Sequence, residues 1–206
     1  MKNIHTNHPF LNNISNDDIK NLPVYQFPGR IFLIDDVSQL KLLNQKLANK
    51  QLLGFDTETR PSFKRGRKHK VSLLQLATAD EALIIRLNKV GLPDMIISLF
   101  ENENIKKIGL ALRDDIRFLN QLRSFKPEGF IDLQQYVKNF NILDNGLKKL
   151  AANILGFRIS KKQQTSNWEK GTLDDDQLIY AATDAWVCYK IYDTLQIHIP
   201  DYERDS

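Results

Sequence analysis

Asp56 and Glu58 stand two apart in LLGFDTETR, and Tyr180 and Asp184 stand four apart in LIYAATDAWVCYKIY. A strand repeats its face every second residue and a helix about every 3.6. The first pair therefore emerges on one face of a strand and the second on one side of a helix. Carboxylates gathered in this way, with a phenol beside them, suit a centre that holds divalent metal. A further acid comes from KKIGLALRDDIRFL, where a strand hands over to a helix carrying Asp114 and Asp115. Asp115 shares its side with Leu112, Leu119 and Leu122, the apolar and hence inward stripe, whereas Asp114 shares a mixed face with Phe118 and Gln121. Asp115 is therefore the expected site acid and Asp114 the solvated one.

These residues need a sheet and helices to carry them. IFLI (31–34), LLGFD (52–56), VSLLQLA (71–77), ALIIRL (82–87) and IKKIGL (105–110) read as strands, with FIDL (130–133) as a short last candidate. Helices are expected through QLKLLNQKL after Asp36 or Ser38, through MIISLF after Pro93 and Asp94, and from Leu112 to Arg123. Another is expected in LKKLAANILG, ended by Gly156. A long helix should start near Leu173 to Asp176 and run to His198, before Pro200. The pattern is that of one α/β domain whose mixed central sheet has about five strands and is flanked by helices. The expected divisions are a polar lead over 1–29 with one short helix between Ser15 and Pro23, the domain over 30–199, and a tail over 200–206. No repeat, linker or second domain is visible.

Bulk composition permits this reading. The chain has 206 residues, enough for one domain, and its 42% hydrophobic and 26% charged residues are those of a soluble globular protein. No apolar run approaches the roughly 20 residues of a membrane helix, so no membrane partner is expected. Cys188 is the only cysteine, which precludes an intrachain disulfide, and MKNIHTNHPFLNN lacks the apolar centre of a secretory signal. A reducing, cytoplasmic setting is the expectation. Cys188 itself reads as a small buried residue. The four histidines have no ligand spacing, so no zinc site is expected.

The charge distribution says more than the net +4. Lys64, Arg65, Arg67, Lys68 and Lys70 crowd SFKRGRKHKV, and Lys161 and Lys162 lie in RISKKQQTSNW. The singled-out acids lie among Leu52, Leu53, Phe55, Ala181, Ala182 and Ala185 instead. Basic loops around an acidic, partly buried centre suit a polyanion held at its phosphates; by itself the first basic segment reads as a solvated hairpin loop. Other residues have plainer readings. Gln75 reads as a plain strand residue, with contact to the site as the alternative, Asp132 as a helix N-cap or an acid behind the site, and Trp168 as a packing aromatic. Asp174 to Asp176 complement a helix N-terminus, and Trp186 and Tyr189 pack.

Taken together, FDTET, IGLALRDDIRFL and YAATD resemble the three motifs of the DEDD superfamily of 3′–5′ exonucleases, in the branch with a Tyr in the third motif. GFDTETRPSFKRGRKHKVSLLQLAT and SNWEKGTLDDDQLIYAATDAWVCYKIY resemble Werner-type exonuclease domains and, further off, ribonuclease D. The likeness covers residues 30 to 197. It implies a ribonuclease-H-like fold, with Asp56, Glu58, Asp115 and Asp184 as ligands of two Mg²⁺ or Mn²⁺ ions and Tyr180 holding the attacking water. It also implies a nucleic acid with a free 3′ end, single-stranded or recessed, as substrate. The chain departs from the Werner type at Thr59-Arg60, where a Trp usually follows the Glu. The likeness includes neither a helicase nor the helical nucleic-acid-binding module of ribonuclease D, so the domain is expected to act alone or with a partner such as a helicase.

The chemistry explains the residue types. A phosphodiester is already anionic, so attack by water needs charge neutralisation; two ions roughly 3.5–4 Å apart can acidify the water and steady the leaving 3′ oxygen. Hard cations of this kind take oxygen ligands. Without them the carboxylates repel and raise one another's pKa, so a partly protonated centre is expected. A free tyrosine, with a pKa of about 10, is a poor base at neutral pH, so Tyr180 is expected to orient water. The main expectation is an exonuclease releasing nucleoside 5′-monophosphates, DNA ahead of RNA. A silent nucleic-acid-binding module and a phosphodiesterase for short oligonucleotides remain the alternatives.

Overall fold

The computed structural model describes residues 9–61 and 69–199. Lys64, Arg65, Gly66, Arg67 and Lys68 of the basic segment lie outside the described residues.

Six strands form one mixed sheet: β1 (Arg30–Ile34), β2 (Leu52–Thr59), β3 (Val71–Ala77), β4 (Glu81–Arg86), β5 (Lys106–Gly109) and β6 (Phe130–Asp132). Their order is β1-β4-β3-β2-β5-β6. The middle of the sheet, β2 to β4, is antiparallel, while β1 runs parallel to β4, β5 to β2 and β6 to β5. The short FIDL segment thus supplies the sixth strand at one edge, where three residues pair with β5.

Among the described residues eight α-helices connect and cover the strands: α1 (Asn16–Asn21), α2 (Leu40–Leu47), α3 (Leu87–Val90), α4 (Asp94–Phe100), α5 (Arg113–Leu122), α6 (Leu133–Tyr136), α7 (Leu147–Leu150) and α8 (Asp175–Ile197). Their starts follow from local chemistry. Ser15 accepts the Asp18 N–H ahead of α1. Asp36 and Gln39 form a reciprocal capping box. It opens a single 3₁₀ turn, and α2 begins only after it. Asp174 and Gln177 build the same box at the start of α8. α7 widens into a π-helical turn over Ala151–Leu155 and ends at Gly156, whose φ of 72° is a left-handed value that glycine tolerates.

The sheet is buried on both faces. On one, Leu53, Phe55, Leu74 and Leu76 pack with Leu43, Ile96, Phe100 and Leu119 from α2, α4 and α5. On the other, Leu73, Ala77, Ile84 and Ile108 pack under α8 with Ala181, Ala185 and Ile191. α8 is apolar around most of its girth in the middle, as a helix buried in a core must be. None of the helices among the described residues is long and apolar enough to cross a membrane.

One contact decides how closely α8 lies on the sheet. A Cβ placed on Gly54 would stand 1.9 Å from the carbonyl oxygen of Ala185. The absence of a side chain at Gly54 therefore lets helix backbone touch strand backbone, one residue from Asp184 and two from Asp56.

Candidate active site

Strand parity sorts β2 into two sets. Leu53 and Phe55 point into the α2/α4/α5 core, so Gly54, Asp56 and Glu58 point towards α8. Beyond Glu58 the pairing with β3 shifts register, an irregularity of the kind found where strands turn a side chain towards a site. From α8, Asp184 comes down onto the same patch. Asp56, Glu58 and Asp184 each offer an oxygen, and these oxygens all lie within 4.8 Å of one another. The structure thus brings together three of the four acids singled out as metal ligands. Tyr180, one helical turn back, faces the same patch, close enough for its hydroxyl to favour the ionised form of Asp184.

Asp115 lies outside that group of three. It starts α5 and receives the hydroxyl of Thr57. Thr57 sits between the two β2 acids and so faces away from them. Asp115 is therefore held beside the strand from its other side, near enough that its charge acts on Asp56 and Glu58. Its neighbour Asp114 is 66% exposed at the side chain and pairs with Arg117 at 3.0 Å. The helix faces read from the sequence are those the structure displays.

The turn that aims α5 is held by Asp132. It caps α6 by accepting the Gln134 N–H at 2.9 Å, and it accepts the N–H groups of Ala111 at 3.0 Å and Leu112 at 3.1 Å. Ala111 has a φ of 57°, a left-handed conformation costly for a residue with a Cβ. Asp132 is thus an N-cap and also an acid behind the site, fixing the segment that delivers Asp115.

Crowding sets the electrostatics. Burial, then the charges of Asp184 and Asp115, push the Asp56 carboxyl well above the usual carboxylate range. Burial and the other three acids push Glu58 up to about 10. Asp184 is raised by burial, against the Tyr180 hydrogen bond and the nearby Lys161 charge, which favour its ionised form. Asp115 is raised by burial and held back by Thr57. The Tyr180 phenol is pushed up by burial and by Asp184 and Glu58, which removes it as a base at neutral pH. An all-oxygen patch whose carboxyls burial and mutual repulsion push up fits a hard divalent cation, which would favour their ionised forms.

The surroundings contain groups that the sequence did not mark. Trp168, fully buried, lies with its ring centroid 6.0 Å from that of Tyr180. Its indole N–H faces Glu58 and favours the ionised carboxyl, off the alignment of a full hydrogen bond and with no other partner. The loop bearing Trp168 is pinned from the sheet. Arg86, itself fully buried, donates to the carbonyls of Gly171, at 2.6 Å, and Lys170. Glu169 accepts from Ser72 at 3.3 Å and pairs with Arg60 at 3.3 Å. Gln75 is fully buried directly across the strand pair from Asp56, and neither polar atom of its amide has a partner. Arg86 and Gln75 read as ordinary strand positions in sequence; only a polar group at the buried phase of an apolar strand marks them. Thr57 was hidden by its place between two acids. Cys188 is a buried free thiol.

Expected from this geometry, Asp115→Asn lowers cleavage by about a hundredfold or more, the scale of losing one charged contact to the reacting centre. Asp114→Asn, an exposed ion pair, leaves the rate nearly unchanged. Initial rates for the two variants in one metal buffer decide it; equal losses would reverse the assignment of faces.

Comparison with known proteins places this arrangement. A family model described as 3′-5′ exonuclease matches residues 31–200, most of the chain. The chain is similar to the bifunctional 3′-5′ exonuclease/ATP-dependent helicase WRN of Mus musculus, 29% identical over 185 residues, which are 85% of this chain and 13% of the relative. Among solved structures it resembles the Nibbler EXO domain of Aedes aegypti, with a TM-score of 0.75 and 24% identity over 87% of this chain and 94% of that one. It also resembles the RNase D of Trypanosoma brucei in complex with RNA U12, with a TM-score of 0.71 and 20% identity over 86% of this chain and 65% of that one. The chain spans less than half the length of the curated relatives it matches. With a family match over this much of its length, the chain belongs to the 3′-5′ exonuclease family.

Proposed function

We propose that residues 30–199 form a metal-dependent 3′-5′ exonuclease that releases nucleoside 5′-monophosphates, acting on DNA in preference to RNA. The observation that carries this reading is the cluster of Asp56, Glu58 and Asp184, three carboxyls whose oxygens lie within 4.8 Å of one another, with Tyr180 one helical turn from Asp184. The preference for DNA rests on likeness in sequence to the WRN relative alone, so RNA belongs in every assay.

Asp56, Glu58 and Asp184 would hold the divalent ions, with Asp115 beside them. When bound, two Mg²⁺ or Mn²⁺ ions supply acidified water and charge neutralisation at the leaving oxygen. The remaining work falls to the chain. Tyr180 keeps its proton and directs the O–H towards Asp184, which leaves the phenol oxygen to accept a hydrogen bond from water and orient it for in-line attack. Trp168 seals the Glu58 side and favours its ionised state. Thr57 keeps Asp115 turned towards the strand. A buried free thiol at Cys188 is compatible with a reducing, cytoplasmic setting.

The test is a gel assay with 5′-labelled single-stranded DNA, recessed duplex and matching RNA, in Mg²⁺, Mn²⁺ and EDTA, beside Asp56→Ala. Shortening from the 3′ end that needs metal and is lost in the variant supports the reading. No cleavage of any polymer, with short oligonucleotides also intact, would leave a binding module.

Tyr180→Phe is expected to slow single-turnover cleavage by about ten- to a thousandfold while Mg²⁺ half-saturation shifts little, because only the orienting hydroxyl is removed. An equal shift in metal half-saturation would make Tyr180 part of the metal shell instead.

A further inference from the structure

Next to Tyr180, but outside the carboxylate cluster, lies a groove of about 490 Å³. That is the size of sites that hold one nucleotide-scale ligand. One wall is the loop after the π-helical turn, with Lys161 and Lys162; another is α7, with Lys148; the floor is the α8 face of Ile179, Tyr180 and Thr183. Among the described residues these three lysines make no ion pair, and Arg158 adds a fourth basic group to the lining. Asp176 is the one acid on the rim.

The last wall is the segment that reads as a polar lead in sequence. Val24 pairs with Arg158 in a parallel bridge, and the Tyr25 N–H donates to the Arg158 carbonyl at 2.9 Å. The Phe27 N–H donates to Thr183 Oγ1 at 3.0 Å, which ties the segment to α8 one turn from Tyr180. These bonds set Tyr25 at the mouth of the groove. Its ring lies 5.1 Å from that of Phe157 and 6.0 Å from that of Trp186, so it rests on an aromatic base, yet 46% of the residue is exposed. The ring is thus fixed from behind and open in front.

A rigid exposed ring beside unpaired lysines is the combination that binds unpaired nucleotides: the ring stacks on a base of any identity and the ammonium groups take phosphates. Inside a duplex each base face is already covered by its neighbours, so successive bases are open to such a ring only in an unpaired strand. We propose that this groove is a second nucleotide subsite, in which an unpaired nucleotide of the substrate strand stacks on Tyr25 with its phosphates on Lys148, Lys161 and Lys162 while the 3′ end reaches the carboxylates. This rests on the nuclease reading of the centre. It makes the preferred substrate a strand whose 3′ end is single-stranded for more than the nucleotide being removed.

The test uses the full chain carrying Asp56→Asn, so that labelled strands survive, and follows fluorescence anisotropy in Mg²⁺ with single-stranded oligo-dT, oligo-U and a blunt duplex. Adding Tyr25→Ala is expected to weaken both single strands by about tenfold or more, with Tyr25→Phe restoring them and blunt duplex binding little affected. Lys148→Gln with Lys162→Gln should weaken the single strands and flatten the dependence of log affinity on log salt by about 1.4, two phosphate contacts' worth on a single strand. The lysine pair also covers the case in which Tyr25→Ala fails to fold, read from its melting temperature. Unchanged single-strand affinity in the variants that fold, or an equal loss for blunt duplex, overturns the subsite. Hydrolysis of the p-nitrophenyl ester of thymidine 5′-monophosphate by the native chain, and not by Asp56→Ala, reports the carboxylate centre separately. Loss of the subsite and loss of the nuclease reading are thereby distinguished.

Discussion

Asp56→Ala is expected to abolish cleavage, by more than about 10³-fold, and to leave the metal-free domain more stable than the native chain. Both effects have one cause. Asp56 faces Asp184 and Glu58 in a patch that burial has stripped of water, and its carboxyl is raised by burial first and by those charges next. Removing it removes a ligand and relieves repulsion together. The pH dependence carries the sign. A carboxyl whose folded pKa lies above its unfolded value binds more protons when folded, so the metal-free domain loses stability as pH rises above the unfolded value. For Glu58 that loss runs from the ordinary value of 4.5 up to about 10. Each raised carboxyl costs at most about 1.4 kcal/mol per pH unit in its window. Melting temperatures in EDTA should therefore fall between mildly acidic and alkaline pH, less steeply for Asp56→Ala, and saturating Mg²⁺ should flatten the native profile. A native chain whose stability in EDTA rises over that range would contradict the crowded-carboxyl picture, and full activity in a clean Asp56→Ala preparation would sink the two-ion reading.

Gly54→Ala should be the most damaging single-methyl change in the domain. The added Cβ would meet the Ala185 carbonyl oxygen at 1.9 Å and the Tyr189 Cβ at 3.0 Å. The first neighbour is helix backbone and cannot rotate away, so α8 must lift from β2 or slide. Overpacking usually costs about 1–3 kcal/mol, and a backbone clash of this depth belongs at or above the upper end. The functional loss should exceed the loss of folded protein, because lifting α8 carries Asp184 away from Asp56 and Glu58. A misplacement near 1 Å in such a centre costs on the order of 10²-fold in rate. Urea denaturation together with rates per folded molecule measures both. Gly146→Ala is the control, since nothing lies within 4 Å of its added Cβ. If the two substitutions behaved alike, the close crossing of helix and strand would not be what sets the acid spacing.

Much of the site was legible because its parts obey short periods. Two residues along a strand and four along a helix are enough to turn Asp56 with Glu58, and Tyr180 with Asp184, to common faces. The same rule separated Asp115 from Asp114, and the caps at Ser15, Asp36 and Asp174 follow from side chains that satisfy nearby N–H groups. The sheet was harder at its edge. β6 is three residues long and pairs on one side only, so FIDL carries too little pattern to count with confidence beside five longer strands. Trp168 was legible as a packing aromatic and Gln75 and Arg86 as strand positions, yet what their polar atoms face depends on segments far away in the chain.

By itself, then, the sequence determined which residues share a face, where helices start and stop, and that acids would be held among apolar neighbours. Only the tertiary structure decided how those faces meet. Contact between Gly54 and Ala185 sets the distance from α8 to β2. The Thr57 hydroxyl holds Asp115 from the opposite side of the strand. Residues 24–27, which the sequence places in the lead ahead of the domain, become a wall of the groove through bonds to Arg158 and Thr183. The division has a physical reason: a period is a property of local backbone geometry, whereas a distance between two elements is set by side chains packed between them from everywhere else in the chain.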